Sequence, residues 1–295
     1  MTARRALTRL APAVVLAAAL CAAMPGGARA AEYTGPLVDA HSHLPSAGAI
    51  TAYVEAMKRH GVTRVVLLGV GGVQKDDPAW IAAAARRYPD RVVAGLPLSD
   101  PTGAEAAARL DAALIRGRAP VVGEVHLRQI GRRAIERDPG DPAFGRILDV
   151  LAKHAVPVVV HYELTDRAAA ALERALAAHR AATVVLAHAG AGPPARVEGL
   201  LARNPNLRVD LSGMHFQRTP ALATETGPLD PAWKALIERF PDRFLVGVDV
   251  WAPRLFEPAM LDRLLAWTRR VLGELRADVA ERVAWRNATT LFRLE

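Results

Sequence analysis

The sequence has little of what marks several common kinds of protein. Its 295 residues include one cysteine, which excludes a disulfide-stapled scaffold and a cysteine-rich zinc or iron–sulfur site. Aromatic residues make up 5% of the chain, so a basic groove with interleaved aromatics for nucleic acid is not expected. The longest apolar run falls short of the ~20 residues that span a bilayer. What the chain does have is 51% hydrophobic residues, too many for a disordered protein.

The first 30 residues have the pattern of a secretory signal peptide. Three arginines precede an apolar stretch at residues 10–24, and an A-x-A exit sequence follows at residues 28–30. We therefore predict a signal peptide over residues 1–30 and a mature chain of residues 31–295 that is periplasmic or secreted. The paired arginines leave a twin-arginine export route open. The alternatives are a retained membrane anchor and a lipid-modified cysteine.

Removal of this segment changes the charge and the available ligands. The formal net charge falls from +8 to +4, because the segment holds four arginines and no acid. So small a charge predicts a small-molecule substrate and no nucleic-acid partner, and a cleaved signal leaves no stable membrane anchor. The cysteine lies in the same segment, so a metal site in the mature chain would use nitrogen and oxygen ligands.

The mature chain alternates β-branched runs with helical stretches, which predicts a single-domain α/β fold, the (β/α)₈ TIM barrel. The predicted strands are residues 37–40, 64–69, 91–96, 120–125, 157–160, 183–187, 207–211 and 244–248. Helical stretches separate them, and a last helix is predicted at residues 277–285. The alternative is an open, doubly wound sheet, although no G-x-G-x-x-G follows the first strand.

Nine histidines fall on two opposite faces of the predicted barrel. His60, His154 and His179 end helices that lead into strands, where the helix dipole favours them, and we interpret them as structural. The other six lie at or just after the C-terminal ends of strands, the face on which TIM barrels carry their active sites. These six are His41, His43, His126, His161, His188 and His215.

Several strands end in groups that bind divalent metals. His41 and His43 lie two residues apart on an extended segment, so both side chains point into the barrel mouth. The other candidate ligands, on separate strands, are Glu124, His161, His188 and Asp249. Imidazole and carboxylate donors with an open position favour zinc, with manganese or iron as alternatives.

Other residues near the predicted mouth are candidates for binding substrate. His126 has the strand parity of Glu124 and faces either the pocket or a loop, and His215 lies on a loop or the substrate side. Arginines near the mouth would hold a substrate carboxylate or phosphate through two parallel hydrogen bonds, although the simpler interpretation is that these arginines lie on a solvated surface. The arginines that follow strands are Arg128, Arg132, Arg133, Arg218 and Arg254.

The pattern resembles the amidohydrolase superfamily, above all its amidohydrolase 2 branch, with some likeness to TatD-like deoxyribonucleases. The resemblance covers the whole mature chain, including the segments 209–213 and 286–294. Gly123-Glu124 matches the Gly-Glu on strand four of the TatD-like members. The family pattern of H-x-H on strand one, histidine on strands five and six and aspartate on strand eight is matched by His41, His43, His161, His188 and Asp249.

The resemblance leaves the number of metal ions open. Many binuclear members bridge two ions with a carbamylated lysine, but none of the four lysines in this chain ends a strand. Glu124 would replace the lysine as a bridging carboxylate, or it would orient a ligand histidine at a single ion. We favour the binuclear arrangement.

The resemblance implies a metal-dependent hydrolase, in which a metal-activated water cleaves a small ester, lactone, amide or phosphoester. Asp249 would contact the metal and accept the proton of the water, and His188 would bind the metal or stabilise the developing oxyanion. The alternatives are a zinc-dependent decarboxylase of the same superfamily, a TatD-like metal-dependent nuclease and a non-catalytic binding barrel. The sequence does not indicate the oligomeric state.

Overall fold

The predicted strands form a closed parallel barrel in the computed structural model, which describes residues 31–69, 76–117, 119–131 and 134–294. The barrel strands are β1 (Leu37–Ser42), β2 (Val62–Leu67), β3 (Val92–Ala94), β4 (Val122–Gln129), β5 (Val158–Tyr162), β6 (Val184–Leu186), β7 (Leu207–Asp210) and β8 (Phe244–Leu245). The helices outside them are α1 (Ala49–Arg59), α2 (Asp77–Arg87), α3 (Ala106–Arg116), α4 (Pro142–His154), α5 (Asp166–Ala178), α6 (Pro194–Arg203), α7 (Pro231–Arg239) and α8 (Pro258–Gly273). The predicted signal peptide, residues 1–30, lies outside the described residues.

Backbone hydrogen bonds close the sheet into a ring. Neighbouring strands pair in parallel from β1 to β3 and from β4 to β8. Leu96 just after β3 bridges to Val122 of β4. At the other seam, the amide of Ala40 donates to the carbonyl of Val246 at 3.0 Å, and that of Asp249 to His41 at 2.8 Å. The predicted (β/α)₈ barrel is therefore confirmed, and the open sheet is excluded.

The strands are apolar on both faces because both faces are buried. Val38, Val159 and Val185 belong to a small cluster inside the barrel, whereas Val158 and Val160 pack outward against the helices. This alternation places every second residue of a strand in the interior. A polar residue that continues the inward series at a strand end therefore points into the mouth of the barrel.

The C-terminal helix is longer than the sequence pattern predicted. Helical structure runs from α9 (Ala277–Glu281) through a π-turn (Arg282–Arg286) into α10 (Asn287–Phe292), so the predicted end at Trp285 is wrong. Ala280, Ala284, Ala288 and Phe292 are all buried, and their spacing of four keeps one face of the helix apolar beyond Trp285. Ala288 and Phe292 belong to the cluster inside the barrel.

A short hairpin at the end of β4 was not predicted. Ile135–Glu136 pairs antiparallel with Arg128 and Gln129, which extends β4 beyond its predicted end at Val125. A two-residue strand is too short to show a hydrophobic period, so the sequence carried no signal for it. The hairpin stands beside helix α5 at the mouth of the barrel.

The three histidines at helix ends contact carboxylates of neighbouring helices. His60 lies 2.8 Å from Asp262, and His179 lies 2.8 Å from Asp149. His154 contacts Asp111 in the same way. These contacts link adjacent helices on the outside of the barrel. Among the described residues, no helix combines the length and the apolar character needed to cross a membrane.

Candidate metal centre

A cluster of buried imidazoles and carboxylates fills the C-terminal mouth of the barrel. All six predicted metal ligands belong to it, together with two further residues, His126 and Asp210. The members of the cluster are His41, His43, Glu124, His126, His161, His188, Asp210 and Asp249. Buried polar groups at this density need compensating partners, so the contacts inside the cluster decide what it can hold.

Glu124 lies at the centre, and its Oε2 atom faces one group of histidines. The Nε2 atoms of His43 and His126 each lie 3.6 Å from Oε2, and Nε2 of His41 lies at 3.8 Å. Asp249 joins this group because its Oδ1 lies 3.4 Å from Nε2 of His43. These separations, at or beyond the outer limit of a hydrogen bond, leave room between the donor atoms.

The Oε1 atom of Glu124 faces a second group. Nδ1 of His161 lies 2.8 Å from Oε1, and Nε2 of His188 lies at 3.1 Å. On its outer side, Nε2 of His161 lies 3.4 Å from the carboxylate of Glu163. His126 stacks close to His161, with ring centroids 4.7 Å apart. The two oxygens of one carboxylate therefore reach two different sets of imidazoles.

The H-x-H pair is arranged as two nitrogen ligands of one ion. Nδ1 of His43 donates to the carbonyl of Leu68 at 2.8 Å, and Nδ1 of His41 donates to Asp210 at 2.9 Å. These bonds leave the two Nε2 atoms, 3.2 Å apart, as the atoms that would coordinate a cation. At this distance the two nitrogens share either a proton or a cation. Two nitrogens each ~2.1 Å from a tetrahedral ion would be about 3.4 Å apart, close to the distance here, so the residues present fit a divalent cation.

Asp210 is a site residue that the sequence analysis missed. It ends β7 and contacts Nδ1 of His41, and its other oxygen accepts the amides of His188 at 3.0 Å and of Ser212 at 3.1 Å. A carboxylate in this position fixes the tautomer and the ring orientation of a ligand histidine. Its position at a strand end was the signal available in the sequence. That position does not show whether an aspartate binds a metal directly or orients a histidine that binds the metal.

Two cluster residues have a left-handed backbone that side chains rarely adopt. His188, which was predicted at the end of a strand, lies in a turn just after β6 with φ of 54°, and Asp249 has φ of 58°. Such conformations cost on the order of 1–3 kcal/mol each and collect at functional sites. Gly213, with φ of 67°, lies against Asp249, where an added Cβ would come within 2.6 Å of its carboxylate.

Gly123 sets the position of Glu124 at the barrel mouth. Its φ is 115°, and a Cβ on this residue would collide with the carbonyl oxygen of Val159 on the neighbouring strand. Only glycine combines that backbone conformation with such a close approach. The Gly-Glu pair noted in the sequence is therefore a structural unit, in which the glycine lets the glutamate reach the centre of the cluster.

The electrostatics of the cluster favour positive charge at its centre. Burial raises the pKa of Glu124, but the charge of His161 and hydrogen bonds from the surrounding imidazoles hold it well below its ordinary value. Burial lowers the pKa of His161, but Glu124 outweighs it and raises the pKa to about 9. Burial also opposes ionisation of Asp249, yet the charge of His188 keeps its pKa depressed. Ionised carboxylates surrounded by basic nitrogens attract a proton or a metal ion.

The predicted substrate residues have varied surroundings. His126 faces the cluster, and burial lowers its pKa to about 4. His215 is buried on the loop after β7, and Arg254 contacts Gln217 on that loop at 3.3 Å. Arg128 donates to the carbonyl of Glu163 at 2.6 Å. Their roles toward a substrate stay predictions.

Among the other arginines, Arg218 reaches the cluster by pairing with Oδ2 of Asp249. Arg132 and Arg133 lie outside the described residues.

The fold and the site together define a TIM barrel with a metal-binding cluster at its C-terminal mouth. The chain belongs to the amidohydrolase family, since residues 29–294 match the family described as Amidohydrolase. This match confirms the resemblance to the amidohydrolase 2 branch. No curated protein sequence matches the chain.

Solved structures show the same fold at low sequence identity. An uncharacterized TIM-barrel protein from Bordetella bronchiseptica is 17% identical, with a TM-score of 0.64 over 88% of this chain and 99% of that one. A Burkholderia multivorans amidohydrolase with bound zinc is 18% identical, with a TM-score of 0.61 over 88% and 100%. A Polaromonas dihydroxybenzoic acid decarboxylase with bound manganese and the inhibitor 2-nitroresorcinol is 15% identical, with a TM-score of 0.63 over 88% and 97%.

Proposed function

We propose that the protein is a metal-dependent hydrolase whose centre holds two divalent cations bridged by Glu124. The observation that carries this proposal is the division of Glu124 between two groups of imidazoles. Oε2 faces His41 and His43, while Oε1 faces His161 and His188. A carboxylate that orients one ligand would need a single hydrogen bond, whereas this one is surrounded by nitrogen atoms on both oxygens.

The first cation would be held by His41, His43, Asp249 and Oε2 of Glu124. The second would be held by His161, His188 and Oε1 of Glu124. Zinc or manganese suits this set of nitrogen and oxygen donors, and the zinc- and manganese-bound neighbours described above agree with that choice. Bound cations of this kind lower the pKa of water and polarise a scissile carbonyl or phosphoryl group.

Asp249 is the residue that we assign to proton transfer. Its carboxylate is ionised, because the charge of His188, a hydrogen bond with His43 and the charge of Arg218 lower its pKa against the effect of burial. Oδ1 faces His43 and Oδ2 pairs with Arg218, and this carboxylate would accept the proton of the attacking water and pass it to the leaving group.

His188 is assigned as a ligand rather than as an acid. Nδ1 of His188 donates to the carbonyl of Ser212 at 2.9 Å, which leaves Nε2, 3.1 Å from Oε1 of Glu124, as the atom that would coordinate a cation. An Nε2 atom that coordinates a cation has no proton to donate to an oxyanion. This assignment narrows the two roles that the sequence left open for His188.

The substrate is proposed to be a small ester, lactone, amide or phosphoester. The protein is also proposed to act in the periplasm or outside the cell, which rests on the signal pattern of residues 1–30 alone. Decarboxylation is the second candidate, because this chain has the fold of a manganese-bound dihydroxybenzoic acid decarboxylase.

A substrate panel tests the proposed reaction. Protein loaded with zinc or manganese is incubated with esters, lactones, amides, phosphoesters and dihydroxybenzoates, and both hydrolysis products and carbon dioxide are measured. We expect hydrolysis that a chelator abolishes and that Glu124→Gln loses, while Glu55→Gln on the exposed face of α1 keeps it. Carbon dioxide release without hydrolysis would replace the hydrolase by a decarboxylase, and activity that survives full chelation would contradict both.

A further inference from the structure

A second polar site lies beside the barrel, between the Ile135–Glu136 hairpin and helix α5. It is a cavity of about 330 Å³, and none of the metal-centre residues lines it. The residues that line it include four arginines and two residues with hydroxyl groups, Tyr162 and Thr165. The four arginines are Arg128, Arg137, Arg167 and Arg174.

The inner pair of arginines is fixed by the backbone that carries the metal centre. Arg128 donates to the carbonyl of Glu163 at 2.6 Å, and Arg137 donates to the carbonyl of His126 at 2.7 Å. Each of these bonds uses one of the five N–H groups of a guanidinium, so donors remain for a ligand in the cavity. The inner wall is therefore rigid and positively charged.

Among the described residues, no acid serves as a counterion to the outer pair of arginines. Arg167 and Arg174 lie seven residues apart on α5, which places both on one face of the helix, and both are exposed. No described carboxylate forms an ion pair or a hydrogen bond with either of them. The chain elsewhere pairs many of its exposed arginines with acids, as it does for Arg203 and Glu173.

The acidic residues in the wall do not neutralise this charge. Glu136 lies 3.7 Å from Arg128, but its side chain is 83% exposed and turned toward solvent. Asp138 accepts the amide of Gly140 at 2.9 Å. Two carboxylates against four guanidiniums leave a formal excess of two positive charges. Burial raises the pKa of Tyr162, so its hydroxyl stays protonated and available as a donor.

We propose that this cavity binds a small phosphate-like dianion. Guanidinium groups recognise phosphate and paired carboxylates through two parallel N–H bonds, and a charge of two matches the excess in the wall. The bound anion would also be connected to the metal centre. Arg128 holds the backbone of Glu163, whose carboxylate lies 3.4 Å from Nε2 of His161.

Calorimetric titration with inorganic phosphate tests this proposal on the metal-loaded protein, with ionic strength held constant by chloride. The cavity variant is R167A/R174A. Its control is R146A/R180A, which removes the same charge from exposed arginines that lie outside the cavity and have no described acidic partner. We expect one saturable phosphate site, weakened about tenfold or more in the cavity variant and unchanged in the control.

A third protein separates this site from phosphate bound at the metal centre. Glu124→Gln disrupts the metal centre and is expected to keep the cavity site intact. The proposal is overturned if phosphate shows no saturable binding, if R167A/R174A binds it as the wild type does, or if binding disappears with Glu124→Gln alone.

Steady-state kinetics identify the source of the anion. If the site receives the anionic end of a substrate, phosphate competes with that substrate and raises KM alone. If it receives a separate anion, phosphate changes kcat. In either case the effect must be smaller in R167A/R174A than in the wild type, and an effect of equal size there contradicts the proposal.

Discussion

Replacing Asp210 with asparagine tests whether His41 is held ready to bind a cation. Asp210 contacts Nδ1 of His41 at 2.9 Å, and its other oxygen accepts the amides of His188 and Ser212. An asparagine that keeps these two amide bonds places its own NH₂ group opposite His41. His41 must then carry its proton on Nε2, the nitrogen that faces Glu124, and that nitrogen can no longer bind a metal.

The expected loss can be worked out from these contacts. Removing the outer partner of a ligand histidine typically costs about ten- to a hundredfold in metal affinity, which is about 1.4–2.8 kcal/mol. The free energy of unfolding without metal should fall by the value of one charge-assisted hydrogen bond, about 1.5–3 kcal/mol, because both backbone amides keep an acceptor. The fold itself should survive.

Competition between the protein and a zinc chelator measures the affinity, and circular dichroism checks the fold. Asp149→Asn is the matched control, since Asp149 contacts Nδ1 of His179 at 2.8 Å on the outside of the barrel. That variant should bind zinc as the wild type does. An Asp210→Asn protein that is folded and binds zinc within about threefold of the wild type would refute the assignment of His41 as an oriented ligand.

Three further predictions concern the role of Gly123, the stability of the protein in acid and its stabilisation by bound cations. Gly123→Ala should destabilise the protein by about 1–3 kcal/mol more than Gly131→Ala, because both glycines have positive φ but only Gly123 lies against a carbonyl; equal losses in urea unfolding would contradict this. Burial lowers the pKa of His215 to about 4, so the unfolded state takes up its proton first and stability falls from pH 6.5 toward 4. His215→Gln should remove on the order of 2–3 kcal/mol of this pH dependence, and an unchanged slope would show that His215 is not buried neutral. Chelation should lower Tm, and zinc or manganese at ~1,000 times Kd should restore about 4 kcal/mol; a Tm that does not respond to either metal would argue against cation binding.

The barrel and its polar mouth were predictable because they follow from local patterns. In strands such as β5 a continuous apolar run leads directly into a polar residue, here His161, and the end of a buried apolar run is a recognisable position. The H-x-H spacing alone places His41 and His43 on one face. These features depend on the period of a strand, which short stretches of sequence express.

The arrangement inside the cluster was not predictable from such patterns. Nothing in the sequence shows which oxygen of Glu124 faces which histidine, since those contacts join residues from different strands. Asp210 reads as one more strand-end acid until its distance to His41 is known. The left-handed backbone at His188 and Asp249 gave no signal, because neither residue is glycine. Contacts of this kind come from tertiary packing.

The cation count per chain, measured by elemental analysis after purification in zinc or manganese and repeated on Glu124→Gln, tests the central claim most directly. A carboxylate shared by two groups of imidazoles predicts two ions per wild-type chain and loss of at least one of them in the variant. A wild-type chain that binds no ion, or one ion that Glu124→Gln retains, would contradict the bridged centre.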